Sequence, residues 1–235
     1  MSKKSDEVLI IGHRGAKKIA PENTIKAFEK AIELKADYIE FDVHLSKDNE
    51  IIIMHDGNTF RTTGHFGLIR KMTLDKLKQL DAGEGEKVPT LDELIEVAKN
   101  KIKFQLEIKA TGMAEKVVEK LRKAELINST IISSFKHDEL LNVQKIEPSI
   151  KLASLVMGIK KKKTIQEAIE NKFYSIHPLF TKINRKFIEN AHKQNIKVNA
   201  WNVNSKKAMQ KLIDMGIDGI VTNDIELAKK VLKRV

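Results

Sequence analysis

The chain has 235 residues, a formal net charge of +11, no cysteine and an aromatic content of 5%. Without cysteine, disulfides and thiolate metal sites are excluded. The lysine excess favours anionic partners through long-range steering, yet few aromatics and sparse arginine argue against a nucleic-acid surface, and most of these lysines are expected on solvated helix faces.

Met1-Ser2-Lys3-Lys4-Ser5-Asp6-Glu7 leads directly into an apolar run, with neither a long hydrophobic segment nor a small-residue cleavage pattern. No stretch approaches the roughly 20 apolar residues that span a bilayer, so a soluble, cytoplasmic protein is expected. The length suits one α/β domain over residues 1–235, since barrels of this kind commonly reach about 250 residues undivided.

In chain order, Val8-Leu9-Ile10-Ile11 reads as a buried strand. Pro21-Glu22-Asn23-Thr24 then opens a helix with Ile25, Phe28 and Ile32 at helical spacing, capped by Asn23 or Thr24. Tyr38–Phe41 and Ile51–Met54 read as strands, Thr90-Leu91-Asp92-Glu93 as a capping box, and Phe104–Ile108 as another strand. Strands follow at Thr130–Phe135, Leu152–Val156, Phe173–His177, Val198–Val203 and Gly219–Thr222. Helices are expected at Ala114–Ala124, His137–Lys145, Arg185–Asn195, Lys206–Met215 and Ile225–Leu232, with Thr164-Ile165-Gln166-Glu167 as a second capping box.

These are nine strand-like runs, one more than an eight-stranded barrel needs. Connection length resolves the excess. Only Ser46–Glu50 separates Leu45 from Ile51, and a parallel return requires a crossover of a dozen or more residues. Ile51–Met54 must therefore return as the antiparallel arm of a hairpin. The remaining eight strands, joined by helical crossovers, predict a (β/α)8 TIM barrel with a β-hairpin extension after its second strand.

Four polar clusters lie at strand ends: His13-Arg14-Gly15, Glu40-Phe41-Asp42, His55-Asp56 and Glu107-Ile108-Lys109. Side chains i and i+2 share a strand face, so Glu40 and Asp42 point together. Two carboxylates forced together in a partly dry site repel, and a metal ion is the simplest cation to sit between them. Without further context, Glu40 and Asp42 read equally well as ion-pair partners of Arg14 and Lys109.

At these positions the sequence resembles the glycerophosphodiester phosphodiesterase family. The likeness runs in order through His13-Arg14-Gly15, Pro21-Glu22-Asn23-Thr24, Glu40-Phe41-Asp42-Val43, His55-Asp56, Arg61-Thr62-Thr63-Gly64, Pro89–Leu94, Glu107-Ile108-Lys109, Trp201–Asn204 and Asp218–Asn223. The resemblance implies a distorted TIM barrel that cleaves glycerophosphodiesters to glycerol 3-phosphate and an alcohol. By this likeness His13 and His55 form the acid–base pair, Glu40, Asp42 and Glu107 hold a divalent metal, Arg14 and Lys109 contact the phosphate, and Trp201 lines the cleft. Residues 57–88 correspond to the family insertion, which is short here. The chain departs from the family pattern at Ile225, where a proline is common, and at His177-Pro178, where a small polar residue often precedes the proline.

The chemistry of these residue types agrees. Oxygen-only ligation favours Ca²⁺ or Mg²⁺, and two imidazoles with a free pKa near about 6.5 suit proton transfer in both directions. His44, His65, His137 and His192 lack such neighbours and read as hydrogen-bonded structural residues. Two other readings stay open: a lysophospholipase D-type hydrolase, favoured by an apolar channel beside Trp201 lined by Phe60, Phe66 and Leu68, and a catalytically silent binding barrel. Lys160–Lys163 are expected in a loop at the mouth, where they either solvate the loop or make peripheral contact with anionic lipid.

Overall fold

Branched aliphatic runs form the strands of a closed barrel in the computed structural model, which describes residues 8–158 and 161–234. The strands are β1 (Leu9–His13), β2 (Tyr38–Leu45), β3 (Ile51–Ile53), β4 (Lys103–Ile108), β5 (Thr130–Ser134), β6 (Lys151–Val156), β7 (Ser175–Pro178), β8 (Lys197–Ala200) and β9 (Gly219–Thr222). Their order is β1-β9-β8-β7-β6-β5-β4-β2, and the β1–β2 pairing closes the ring. Eight of them run parallel, while β3 alone pairs antiparallel, with Val43 opposite Ile53 and Leu45 opposite Ile51. The short link makes a hairpin, as its length requires, and the barrel keeps eight strands.

Helices surround the barrel, seven as crossovers and the last after β9: α1 (Ile25–Glu33), α4 (Leu91–Ala98), α5 (Ala114–Lys123), α6 (His137–Ile146), α7 (Lys161–Glu170), α8 (Arg185–His192), α9 (Lys206–Asp214) and α10 (Ile225–Leu232). Thr24 caps α1 by accepting from the Ala27 N–H, and Thr90 with Glu93 makes a reciprocal capping box on α4. Between β3 and α4 the insertion carries two short helices, α2 (Phe60–Thr63) and α3 (Leu74–Lys78), over a small core of Ile52, Met54, Ile69, Leu77 and Val88.

Alternation along the strands separates two apolar layers. Ile10, Ile39, Phe41, Val43, Phe104 and Leu106 face the helices, where Phe41 meets Phe28 and Phe104 edge-on at 5.9 and 5.5 Å. Leu9, Ile11, Tyr38, Ile131, Ala153 and Val221 pack within the barrel. That leaves the inward positions near the strands' carboxyl ends for polar groups.

Two local expectations are corrected. Thr164 lies inside α7 rather than capping it, because the helix begins at Lys161, and Glu167 is instead bonded to His137 Nδ1 at 2.6 Å. For the same reason Lys161–Lys163 form the first turn of α7 instead of a loop, with Lys162 and Lys163 exposed; Lys160 lies outside the described residues. Lysine is a good helix former, and its long side chain lets like charges splay into water.

His177 is fully buried on the inward face of β7, where its Nε2 faces Ser175 Oγ at 2.9 Å and accepts from Asn199 Nδ2 at 3.1 Å. Burial lowers its pKa to about 3, so the ring is neutral in the folded protein. The unfolded chain protonates this group first as pH falls from the free value of 6.5, so the stability carried by the neutral ring is lost between there and about 3. Thermal melts of the parent and His177→Gln should therefore differ most near neutral pH, with the gap narrowing as pH falls from 6.5 toward about 3. A gap that stays constant with pH would contradict a buried neutral imidazole.

Candidate active site at the barrel mouth

β1 ends at His13, and the chain then reverses through two left-handed residues, Arg14 at φ 54° and Gly15 at φ 81°. Only glycine serves at position 15, since a Cβ there would sit 2.7 Å from the Ala27 carbonyl carbon. The reversal aims the Arg14 N–H at Glu40 Oε2, 2.8 Å away. It also sets the Arg14 guanidinium 2.7 Å from Glu22 Oε1 and 3.5 Å from Asp42 Oδ2.

Glu40 and Asp42 share the inward face of β2, and the parallel register sets Asp42 beside Glu107 of β4. Oxygen atoms of these three buried carboxylates lie within 4.8 Å of one another, and among the described residues they are the cluster able to hold a metal ion. Lys109 Nζ closes the group at 2.8 Å from Glu107 and 3.4 Å from Asp42. The alternative ion-pair reading is therefore also realised for Asp42, but two cations face three carboxylates.

The electrostatics follow. Burial, then the neighbouring Asp42 and Glu107 charges, push Glu40 well above the usual carboxylate range. Burial and Asp42 push Glu107 up to about 7, Lys109 opposing. Burial works against Asp42 too, but Lys109 and Arg14 outweigh it and hold this carboxyl below its ordinary value. Hard oxygen donors that resist ionisation for want of positive charge fit a divalent cation of the Ca²⁺ or Mg²⁺ type.

Both imidazoles reach this pocket from different elements. His13 Nδ1 is 2.6 Å from Asn223 Oδ1, just beyond β9, and His55 Nδ1 is 2.6 Å from Asp56 Oδ1. Each ring is thereby assigned a proton on Nδ1, which leaves Nε2 free. Burial, with help from Arg14, lowers the His13 pKa to about 4, and burial also lowers that of His55. The pocket is lined by His13, Arg14, Glu40, His55, Glu107 and Lys109 on its polar side, and by Phe135, Leu155, Trp201 and Val221 on its apolar side. Trp201 donates its indole N–H to the His177 carbonyl at 2.7 Å and packs edge-on against Phe135 at 5.7 Å.

All eight residues singled out from the sequence thus converge on the mouth. The apolar wall does not follow expectation: Phe60 and Phe66 are 59% and 76% exposed, and neither they nor Leu68 line this pocket. Several partners were given no place at the site by the sequence reading: Asn223 on His13, Asp56 on His55, Phe135 on Trp201, and Asn23, a candidate helix cap whose Nδ2 instead donates to Asp42 Oδ2 at 2.9 Å. A roomier groove of about 700 Å³, lined by Arg185, Lys206, Lys207 and Lys211, shares none of these groups.

Fold and site together define a (β/α)8 barrel with a carboxylate cluster and two imidazoles at its carboxyl mouth. A phosphodiesterase from Oleispira antarctica, solved in complex with the product sn-glycerol-3-phosphate, superposes with a TM-score of 0.90 at 28% identity, covering 97% of this chain and 98% of that one. A glycerophosphodiester phosphodiesterase from Thermotoga maritima superposes with a TM-score of 0.85 at 29% identity, covering 95% and 98%. A glycerophosphodiester phosphodiesterase from Caldanaerobacter subterraneus is 36% identical, covering 97% of this chain and 99% of its own length. Residues 13–227 match the Glycerophosphoryl diester phosphodiesterase family, and the chain belongs to it. Among the described residues no helix is long and apolar enough to cross a membrane.

The carboxylate cluster makes a pH prediction. A carboxyl whose folded pKa is raised contributes stability below its free value of 4.5 and loses it as pH rises through the folded value, about 7 for Glu107. With divalent ions chelated, the parent should lose thermal stability between about pH 5 and about pH 8, and Glu40→Gln should lose less. Parallel curves for the two proteins would contradict repulsion at this site.

Proposed function

We propose that this protein hydrolyses glycerophosphodiesters to glycerol 3-phosphate and an alcohol, with Glu40, Asp42 and Glu107 holding Ca²⁺ or Mg²⁺ and His13 and His55 moving protons. One observation carries the reading: three buried carboxylates within 4.8 Å, beside two imidazoles and two cations, in a chain of this family.

A phosphodiester anion repels nucleophiles, so its hydrolysis needs positive charge on non-bridging oxygens, an activated hydroxyl and a protonated leaving group. The bound cation would supply part of that charge. Arg14 offers a planar fork to the phosphate and Lys109 a compact charge, and both must be drawn from their present partners, Glu22, Asp42 and Glu107. His13, kept neutral by burial and holding its Nδ1 proton on Asn223, suits the base that accepts the proton of the attacking hydroxyl at Nε2. His55, once protonated at Nε2 and with that charge supported against burial by the Asp56 carboxylate on Nδ1, suits the acid that protonates the departing oxygen. Trp201 and Phe135 make the wall along which the glycerol or alcohol lies.

A second reading keeps the site and takes lysophospholipids as substrates. The edge-on pair of Phe135 and Trp201, continued by Leu155 and Val221, favours it by offering apolar surface next to the phosphate position. Peripheral contact with anionic lipid through Lys162 and Lys163 belongs to this reading, each basic residue near such a surface adding about 1 kcal/mol.

Turnover of sn-glycero-3-phosphocholine and a lysophospholipid by the purified protein separates the two. Chelation should abolish hydrolysis, and Ca²⁺ or Mg²⁺ should restore it; full activity after metal removal verified by elemental analysis would overturn the metal assignment. His13→Ala and His55→Ala should each lower turnover by at least about 100-fold with unchanged melting temperature. Near-parental turnover in either variant would remove that histidine from the reaction.

A further inference from the structure

Arg61 belongs to the insertion, does not line the pocket, and still touches the acidic partners of two pocket residues. Its Nε lies 2.5 Å from Asp56 Oδ2, while the other oxygen of Asp56 holds His55 Nδ1 at 2.6 Å. Its Nη2 lies 2.6 Å from Glu22 Oε1, the same oxygen that holds Arg14 Nη1 at 2.7 Å. Lys17 also pairs with Glu22. One guanidinium thus joins the partner of an imidazole to the partner of a phosphate-facing arginine, across 39 residues of sequence.

The local structure holds Arg61 in place. α2 is a single turn whose Phe60 N–H is taken by Asn58 Oδ1 at 3.1 Å, and Thr63 Oγ1 donates to the Thr59 carbonyl at 2.9 Å. Gly64 ends the turn at φ 73°, its N–H on the Phe60 carbonyl at 2.8 Å. The acceptors are equally defined. Glu22 is partly buried, and although burial opposes its ionisation, Arg61, Lys17 and Arg14 together hold its carboxyl far below the ordinary range.

We propose that Arg61 is a positioning residue of the insertion, which fixes His55 through Asp56 and Arg14 through Glu22 by one two-armed guanidinium contact. This rests on the phosphodiesterase reading of the same site. An isolated exposed ion pair would matter little, and Arg61 is about half exposed, but its two arms end on residues that themselves orient reacting groups. Displacing a proton-transfer group by an ångström costs up to about a hundredfold in rate, because the reacting geometry is lost. A lysine at this position has one ammonium and no fork, so it cannot hold both acceptors in the same geometry.

The test uses the full-length protein with sn-glycero-3-phosphocholine and added divalent metal. Arg61→Gln should lower kcat about 10- to 100-fold with KM changed less than about 2-fold, and Arg61→Lys should recover only part of the loss. Combined with Asp56→Asn, the loss should be far less than the product of the two single losses, since both break one contact. Unchanged kcat, a kcat loss matched by loss of folded protein in the melting curve, or a rise in KM alone would each overturn the proposal. Nitrogen-15 shifts of the His55 ring provide a readout independent of turnover. The parent should show one tautomer, protonated at Nδ1, and Arg61→Gln a mixture; an unaltered single tautomer in the variant would overturn the proposal even if the parent proved inactive on every diester.

Discussion

Three carboxylates buried within 4.8 Å of one another are the arrangement to which the rest of the molecule is fitted. At an effective dielectric constant near 20, each pair of full charges at that spacing repels by about 3 to 4 kcal/mol. Three such pairs approach the whole stability of an ordinary domain, about 5–15 kcal/mol. The cluster can stay charged only with cations beside it, and the protein supplies two, Arg14 and Lys109. The balance is incomplete, which is why Glu40 and Glu107 are pushed upward while Asp42, touched by both cations, is not.

The barrel makes this costly proximity unavoidable. Parallel pairing sets Asp42 opposite Glu107, and the two-residue repeat of β2 stacks Glu40 on Asp42, so no loop has to be ordered to bring the carboxylates together. The hairpin of β2 and β3 then returns His55 to the same opening, and the Met54 N–H bonds the Asp42 carbonyl at 3.0 Å. The imidazoles are held by different partners, Asn223 after β9 and the adjacent Asp56, just before the insertion. Each ring is therefore oriented by a different part of the closed chain, and opening the barrel at β1–β9 would release His13 from Asn223.

Much of this was legible in the residues. The five-residue link before Ile51 identified the hairpin by connection length, and the i, i+2 pairs Glu40/Asp42 and Glu107/Lys109 identified an inward face at two strands. What escaped depends on distance along the chain. Asn223 reaches His13 across 210 residues, and Phe135 meets Trp201 only because β5 and β8 both end at the mouth; no local pattern signals either contact. Thr164 and Glu167 have capping-box spacing, but the lysines before them are themselves helical, so the pattern falls one turn inside α7. Phe60 and Phe66 were expected, with Leu68, to line an apolar channel, yet the core beneath the insertion is made by Ile52, Met54, Ile69, Leu77 and Val88 and leaves both outside.

The carboxylate cluster is short of positive charge, and we propose that a divalent cation completes it. Calorimetric titration of the chelator-treated protein with Mg²⁺ and Ca²⁺ near pH 6.5, repeated in two buffers of different ionisation heat, counts the protons that leave as the ion binds. Because Glu40 and Glu107 resist ionisation without the metal, binding should release about one proton or more, and Glu40→Gln should weaken binding and reduce that number. Binding with no proton release, or equal binding by the parent and Glu40→Gln, would contradict the account.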